Sequence, residues 1–104
     1  MVKEVTSNEE FKAVLNSGKT VIVDWSATWC GPCKMISPVF NSLSEEFTSM
    51  TFVKVDVDVV PEAAEAADVT AMPTFHVYQA GEKVDQVVGA NQAKLRDMVA
   101  KYNK

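Results

Sequence analysis

Residues 20–34 read TVIVDWSATWCGPCK, an apolar and β-branched run followed closely by the only two cysteines of the chain. The run at 20–27 predicts a central strand buried on both faces. Pro32 suits the first turn of a helix, so we expect the strand to give way to a helix at Cys30. Cys30 and Cys33 are three positions apart, so one helical turn brings their sulfurs within bonding reach. The stretch therefore predicts a reversible two-electron dithiol–disulfide couple.

The segments around this stretch complete an alternating series of strands and helices. The predicted elements are a short strand at 2–5, a helix capped by Ser7 and ended by Gly18, the strand at 20–27, a helix at 34–47, a strand at 51–57, a helix at 61–67, a hairpin of strands at 74–78 and 83–88, and a helix capped by Asn91. Met35 is expected on the buried stripe of the second helix. The pattern predicts an α/β fold, with a mixed four- to five-stranded sheet flanked by helices on both faces.

Length and composition narrow the class of protein further. The chain has 104 residues, 47% of them apolar, which suits one domain spanning 1–104. A net charge of −4 argues against binding to nucleic acid or to an anionic membrane surface. No apolar stretch approaches the ~20 residues that span a bilayer. The start, MVKEVT, lacks the apolar core of a signal peptide, and we expect a cytoplasmic protein.

The predicted helix start sets the chemistry of the two thiols. Unpaired N–H groups and the positive end of the helix dipole stabilise a thiolate at Cys30, which lowers its pKa and makes it nucleophilic. Cys33 is expected to be less exposed and to keep its proton longer. Gly31 is expected to allow a tight turn and to leave room for an incoming polypeptide. Pro32 puts no charge beside the thiolate, whereas a His there would make the couple more oxidising, so Pro favours a reductant.

Two other uses of a cysteine pair have to be weighed. A zinc site needs four ligands, and the chain offers only His76 besides the two thiols, so no metal is expected. A purely structural disulfide is the second alternative, and it is unusual in a reducing compartment.

The ordered motifs of the whole chain closely resemble the thioredoxin family. The resemblance covers residues 23–34, Pro38, the FVKVD run at 52–56, the AMPTF run at 71–75 and the Gly-Ala pair at 89–90. It implies the thioredoxin fold and a protein-disulfide reductase with no bound cofactor, recharged with electrons from NADPH by a flavin-containing thioredoxin reductase. In the implied mechanism the Cys30 thiolate attacks a target disulfide and Cys33 resolves the mixed disulfide. Departures from the family pattern are Trp25, where Phe is commoner, and two valines at 59–60 in a usually more polar loop.

Asp24 is a carboxylate inside an otherwise apolar strand. Burial of an unpaired carboxylate raises its pKa. The resemblance implies that Asp24 accepts the proton of Cys33, directly or through a water. The alternative is a structural carboxylate paired with Lys54, which lies on the neighbouring strand in this topology.

The resemblance also implies a substrate-binding surface around Cys30. The bond before Pro73 is expected to be cis and to expose the backbone of Met72 for pairing with an extended substrate; the alternative is an ordinary proline at a strand start. Trp29 is expected to be exposed, although core packing is the usual place for a tryptophan. The expected surface consists of Trp29, Gly31, Pro32, Ala71, Met72, Pro73, Gly89 and Ala90. Trp25 is assigned to the core, and His76 is expected to be a partly buried packing residue.

The resemblance leaves several partners and two competing functions open. It implies thioredoxin reductase as electron donor and, as targets, proteins such as peroxiredoxins, methionine sulfoxide reductases and ribonucleotide reductase. The chain is expected to be a monomer. One competing function is an oxidase or isomerase of secreted proteins, which a high reduction potential would favour. The other is a binding subunit that uses the apolar surface around Cys30 without redox cycling. In that case a variant without both cysteines would retain full biological activity.

Overall fold

Residues 1–103, which the computed structural model describes, form five strands and four helices in the predicted order. The elements are β1 (Val2–Val5), α1 (Asn8–Leu15), β2 (Val21–Ser26), α2 (Gly31–Glu46), β3 (Thr51–Asp56), α3 (Pro61–Ala66), β4 (Thr74–Gln79), β5 (Glu82–Val88) and α4 (Gln92–Lys101). Within these residues, no helix combines the length and the apolar character needed to cross a bilayer.

The strands form one mixed sheet in the order β1-β3-β2-β4-β5. Strands β1, β3 and β2 are parallel, and β4 and β5 are joined to them as an antiparallel pair. The predicted central strand is therefore the middle of five, and all six of its residues are buried. The carboxyl ends of β2 and β3 meet at one edge, where sheets of this class place their chemistry.

Two apolar layers hold the helices on opposite faces of the sheet. On one face α1 and α3 cover the odd-numbered residues of β2, and the aromatic ring of Phe11 packs on Trp25. On the other face α2 and α4 cover the even-numbered residues, with Phe40 between Phe52 and Phe75. Alternation along each strand thus sends consecutive side chains to different layers.

The caps and the hairpin follow the predicted turn chemistry. The side chains of Ser7 and Asn91 accept hydrogen bonds from backbone N–H groups in the first turns of α1 and α4. The hairpin turns at Ala80 and Gly81, which both have positive φ, as a two-residue turn between twisted strands requires.

Two local predictions were wrong. Gly18 does not end α1, because the helix stops at Leu15 with Asn16 as its C-cap, and Gly18 turns the chain beyond it with φ +86°. Met35 is 78% exposed instead of lying in the core. Its neighbour Ile36 occupies the buried stripe, so the start of α2 turns Met35 toward solvent.

Candidate active site

Cys30 and Cys33 form a disulfide at the junction of β2 and α2. Cys30 is the N-cap residue of α2, and Cys33 lies one turn into the helix, with 5.3 Å between the two Cα atoms. The backbone N–H of Cys33 donates a hydrogen bond to Sγ of Cys30 at 3.2 Å. A sulfur thus stands where an oxygen usually caps a helix, at the positive end of the helix dipole.

Exposure does not separate the two cysteines as the sequence predicted. Cys30 is 5% exposed and Cys33 is 4% exposed, because Ala27, Val57 and Met72 pack around the disulfide. What distinguishes the two sulfurs is position, since only Cys30 caps the helix and receives the N–H donor.

Gly31 and Pro32, which separate the two cysteines, suit their positions for different physical reasons. Pro32 lies in the first turn of α2, where its missing N–H leaves no bond unmade. Gly31 does not have a positive φ, so the predicted tight turn is not what requires glycine. A Cβ added at Gly31 would meet no atom within 4 Å, which fits the expectation of open space in front of the disulfide.

Asp24 lies on β2 in the layer that contains α2. It is 1% exposed, and its Oδ1 has no hydrogen-bond partner among the described residues. Burial raises the pKa of Asp24 from 3.8 to about 7, and the charge of Lys54 opposes this rise. Lys54 is directly opposite Asp24 on β3, as predicted, but it forms no ion pair with any residue in 1–103.

The loop before β4 lies against the disulfide. The peptide bond between Met72 and Pro73 is cis, as the resemblance implied, and Met72 packs on the cysteine cluster. The hydroxyl of Thr74 donates a hydrogen bond to the carbonyl of Ala71. The N–H of Gly89 donates to the carbonyl of Pro73 at 2.8 Å, which places Gly89 beside this loop.

Trp29 lies at the surface, one residue before the disulfide, and 68% of it is exposed. Its indole N–H donates a hydrogen bond to Oδ2 of Asp58 at 2.9 Å. Asp58 is not among the predicted site residues. Its position two residues after β3 was the available signal, because β2 and β3 are parallel and end at the same edge of the sheet.

His76 is buried more deeply than predicted. It is 1% exposed, and its Nδ1 accepts a hydrogen bond from the indole N–H of Trp25 at 2.9 Å. Nδ1 therefore carries no proton, and burial, aided by the charge of Lys83, lowers the pKa of His76 to about 4. Trp25 is fully buried, as assigned. This partner explains how a polar ring can lie in the core.

No group of three or more His, Cys, Asp or Glu side chains in residues 1–103 is arranged to hold a metal ion. The disulfide can carry redox chemistry by itself, because the sulfur pair gains two electrons as its bond opens and loses them as it closes. A helix-capping cysteine bonded to a second cysteine one turn away, beside an open surface, defines a thiol–disulfide oxidoreductase.

Comparison with known proteins identifies the family. The family model described as thioredoxin matches residues 2–101. Thioredoxin-1 of Schizosaccharomyces pombe is 52% identical over 95 residues, which is 91% of this chain and 92% of that protein. A solved structure of Plasmodium falciparum thioredoxin superposes with a TM-score of 0.94 at 47% identity, covering 96% of this chain and 98% of the other.

A third match is a chain from a structural study of the thiol-resolving mechanism in yeast mitochondrial 1-Cys peroxiredoxin via glutathione/thioredoxin systems. It has a TM-score of 0.90 at 34% identity and covers 96% of this chain and 94% of the other. The chain belongs to the thioredoxin family. In this family the redox centre is the cysteine pair itself, and no bound cofactor is needed.

Proposed function

We propose that the chain is a protein-disulfide reductase in which Cys30 is the nucleophile and Cys33 the resolving thiol. The observation that carries the proposal is the position of Cys30 as the cap of α2, with an N–H of the helix donating to its sulfur. Such donors stabilise a thiolate, which is the species that attacks a disulfide.

The reaction consists of two exchanges. The Cys30 thiolate forms a bond to one sulfur of the target disulfide, and the other target sulfur leaves as a thiolate that takes up a proton. Cys33 then loses its proton, attacks Sγ of Cys30 and releases the second target thiol. The target gains two electrons, and the pair is left as the disulfide.

Asp24 is the proposed acceptor of the Cys33 proton, with Lys54 as a supporting residue. A pKa of about 7 suits a group that takes up and releases protons near neutral pH. Cys33 and Lys54 line the same cavity, and Lys54 is directly opposite Asp24 on the neighbouring strand, which supports a role of this strand pair in proton transfer from the thiol.

The proposed substrate surface surrounds the disulfide. It consists of Trp29, Gly31, Pro32, Ala71, Met72, Pro73, Gly89 and Ala90. The open space in front of Gly31 and the contact of Met72 with the cysteines support an extended target segment passing beside Cys30.

The proposed electron source is NADPH, delivered by a thioredoxin reductase, and the proposed targets include peroxiredoxins, methionine sulfoxide reductases and ribonucleotide reductase. The match to a structure that concerns a peroxiredoxin and thioredoxin systems supports the first of these targets. We propose a monomer with one domain, residues 1–104, in the cytoplasm, where a reducing environment maintains the dithiol.

Reduction of insulin disulfides, driven by NADPH and a thioredoxin reductase, tests the proposal. The unaltered chain should sustain NADPH oxidation in the presence of insulin, and Cys30→Ser should abolish it. Cys33→Ser should accumulate mixed disulfides with targets, which non-reducing electrophoresis detects. Full biological activity in a Cys30→Ser/Cys33→Ser variant would instead support a binding protein without redox cycling.

A further inference from the structure

A cavity of about 320 Å³, lined in part by charged side chains, lies beside Cys33 on the side of the sheet that carries α2. Its lining includes Glu4, Ser26, Cys33, Lys34, Lys54 and Asp56. The cavity joins Cys33 and Lys54 to Glu4 of β1 and Asp56 of β3, two residues that the proposed reaction does not use.

Three charged residues lie in one row across the strands beside this cavity. Glu4 of β1 is opposite Lys54 of β3, and Lys54 is opposite Asp24 of β2. All three are on the face covered by α2 and α4, because the residues two positions before them, Val2, Phe52 and Ile22, pack in that layer. Neighbouring strands are only ~4.8 Å apart. Lys54 therefore has a carboxyl residue on each side.

Lys54 forms no ion pair within residues 1–103, with Asp24, with Glu4 or with any other residue. The two sides differ in solvation, because Asp24 is 1% exposed and Glu4 is exposed. An ammonium group that pairs with a buried carboxylate must lose much of its water, whereas pairing with an exposed one costs little desolvation. Solvation therefore favours the Glu4 side.

We propose that Glu4 is a positioning residue, whose charge attracts the Lys54 ammonium toward the solvent side of the cavity without forming an ion pair and keeps the Asp24 carboxyl free to accept a proton. The proposal rests on the proposed role of Asp24 in the reaction. Without the charge of Glu4, the Lys54 side chain moves closer to Asp24 and favours its carboxylate. The pKa of Asp24 then falls below its value of about 7, and Asp24 becomes a weaker acceptor.

Other charges near Asp24 stay the same when Glu4 changes. Asp56 on β3 and Lys34 on α2 line the cavity together with Cys33 of α2. Strand β4 places Phe75 opposite Asp24, which adds no charge. In the disulfide form Cys33 has no proton to lose, so the Asp24 carboxyl can be titrated without coupling to the thiol.

The test is a titration of the Asp24 side-chain carbon by NMR in the disulfide form. Glu4→Gln should lower the midpoint by ~0.5–1 pH unit, and Glu4→Asp, which restores the charge, should return it toward the original value. Glu65→Gln is the matched control, because it removes the same charge on α3 across the sheet, and it should leave the midpoint in place. In a Lys54→Met background, Glu4→Gln should have no further effect.

An unchanged midpoint in Glu4→Gln would overturn the proposal, and so would an undiminished shift in the Lys54→Met background, which would show a direct effect of Glu4 on Asp24. In the reduced protein, the pH profile of the resolving step should move down with the midpoint. If Asp24→Asn leaves that step unchanged, the proposed role of Asp24 fails, whereas the titration still decides whether Glu4 positions Lys54.

Discussion

Asp24 and His76 are buried titratable residues on opposite faces of the sheet. Burial shifts their pKa values in opposite directions, so the fold loses stability at high pH through Asp24 and at low pH through His76. The pKa of Asp24 is raised to about 7, so the folded chain favours its neutral form and loses stability as the pH rises from 3.8 to 7. The pKa of His76 is lowered to about 4, so the folded chain loses stability as the pH falls from 6.5 to 4.

Asp24→Asn should stabilise the fold and slow the reaction. The amide stays neutral, so above pH 7 the variant avoids the cost of a buried charge, which amounts to at most ~4 kcal/mol. Urea unfolding at pH 8 and pH 4 measures this, and the gain should be confined to the higher pH. Disulfide exchange near neutral pH should slow by up to ~10²-fold if Asp24 accepts the proton. Equal rates would refute that role.

His76→Gln should remove the destabilisation caused by acid. The Gln amide oxygen can accept the bond from Trp25 but cannot be protonated, whereas protonated His76 cannot accept it. Between pH 6.5 and 4 the unaltered chain should lose roughly 3 kcal/mol relative to the variant. The measurement is urea unfolding followed by Trp25 fluorescence in a Trp29→Phe background. Parallel pH dependence in both proteins would contradict the assignment.

Single residues of the site were predictable from the sequence where the signal lay in the neighbouring residues. Asp24 was recognisable because it interrupts an apolar strand, and Cys30 because it stands at a strand–helix junction. The bonds from Trp25 to His76 and from Trp29 to Asp58 join residues 51 and 29 positions apart. Such pairs depend on the register of the sheet, which the sequence pattern does not specify to the residue.

Among the elements, helix α2 carries the chemistry because it begins at a cysteine. Its first turn contains no acidic residue that would compete with a thiolate at the tip, and Pro32 leaves the position beside Cys30 uncharged. The order and type of all elements followed from capping residues and periodicity. The errors at Gly18 and Met35 fell at helix ends, where packing against the sheet decides which residue turns inward.

Pro32→His should make the couple more oxidising. A protonated imidazole beside the helix tip stabilises the Cys30 thiolate and so favours the reduced pair. We expect the reduction potential to rise by on the order of 30–60 mV, which corresponds to a 10- to 100-fold change in the equilibrium constant. Equilibration with glutathione buffers measures it. Asn41→His, an exposed position further along α2, is the control and should leave the potential unchanged.

Across the whole molecule, charge is distributed unevenly around the site. Residues 56–68 contain five acidic residues and no Lys or Arg, although the entire chain has a net charge of only −4. The acidic residues of this segment are Asp56, Asp58, Glu62, Glu65 and Asp68. The hydrogen bond from Trp29 to Asp58 joins this segment to the edge that carries Cys30. We expect the negative charge of this segment to attract basic targets to the site.

A target disulfide in a basic peptide should accordingly be reduced faster than the same disulfide in an acidic peptide. The cause is attraction during encounter, so the ratio of the two rates should shrink as salt rises from 0.01 M to 1 M and the Debye length falls from ~30 Å to ~3 Å. A Glu62→Gln/Glu65→Gln variant should lower the ratio at low salt. Glu9→Gln/Glu45→Gln removes the same charge from α1 and α2 and should change it less. A ratio near one, or one that salt does not alter, would show that the acidic segment plays no part in choosing targets.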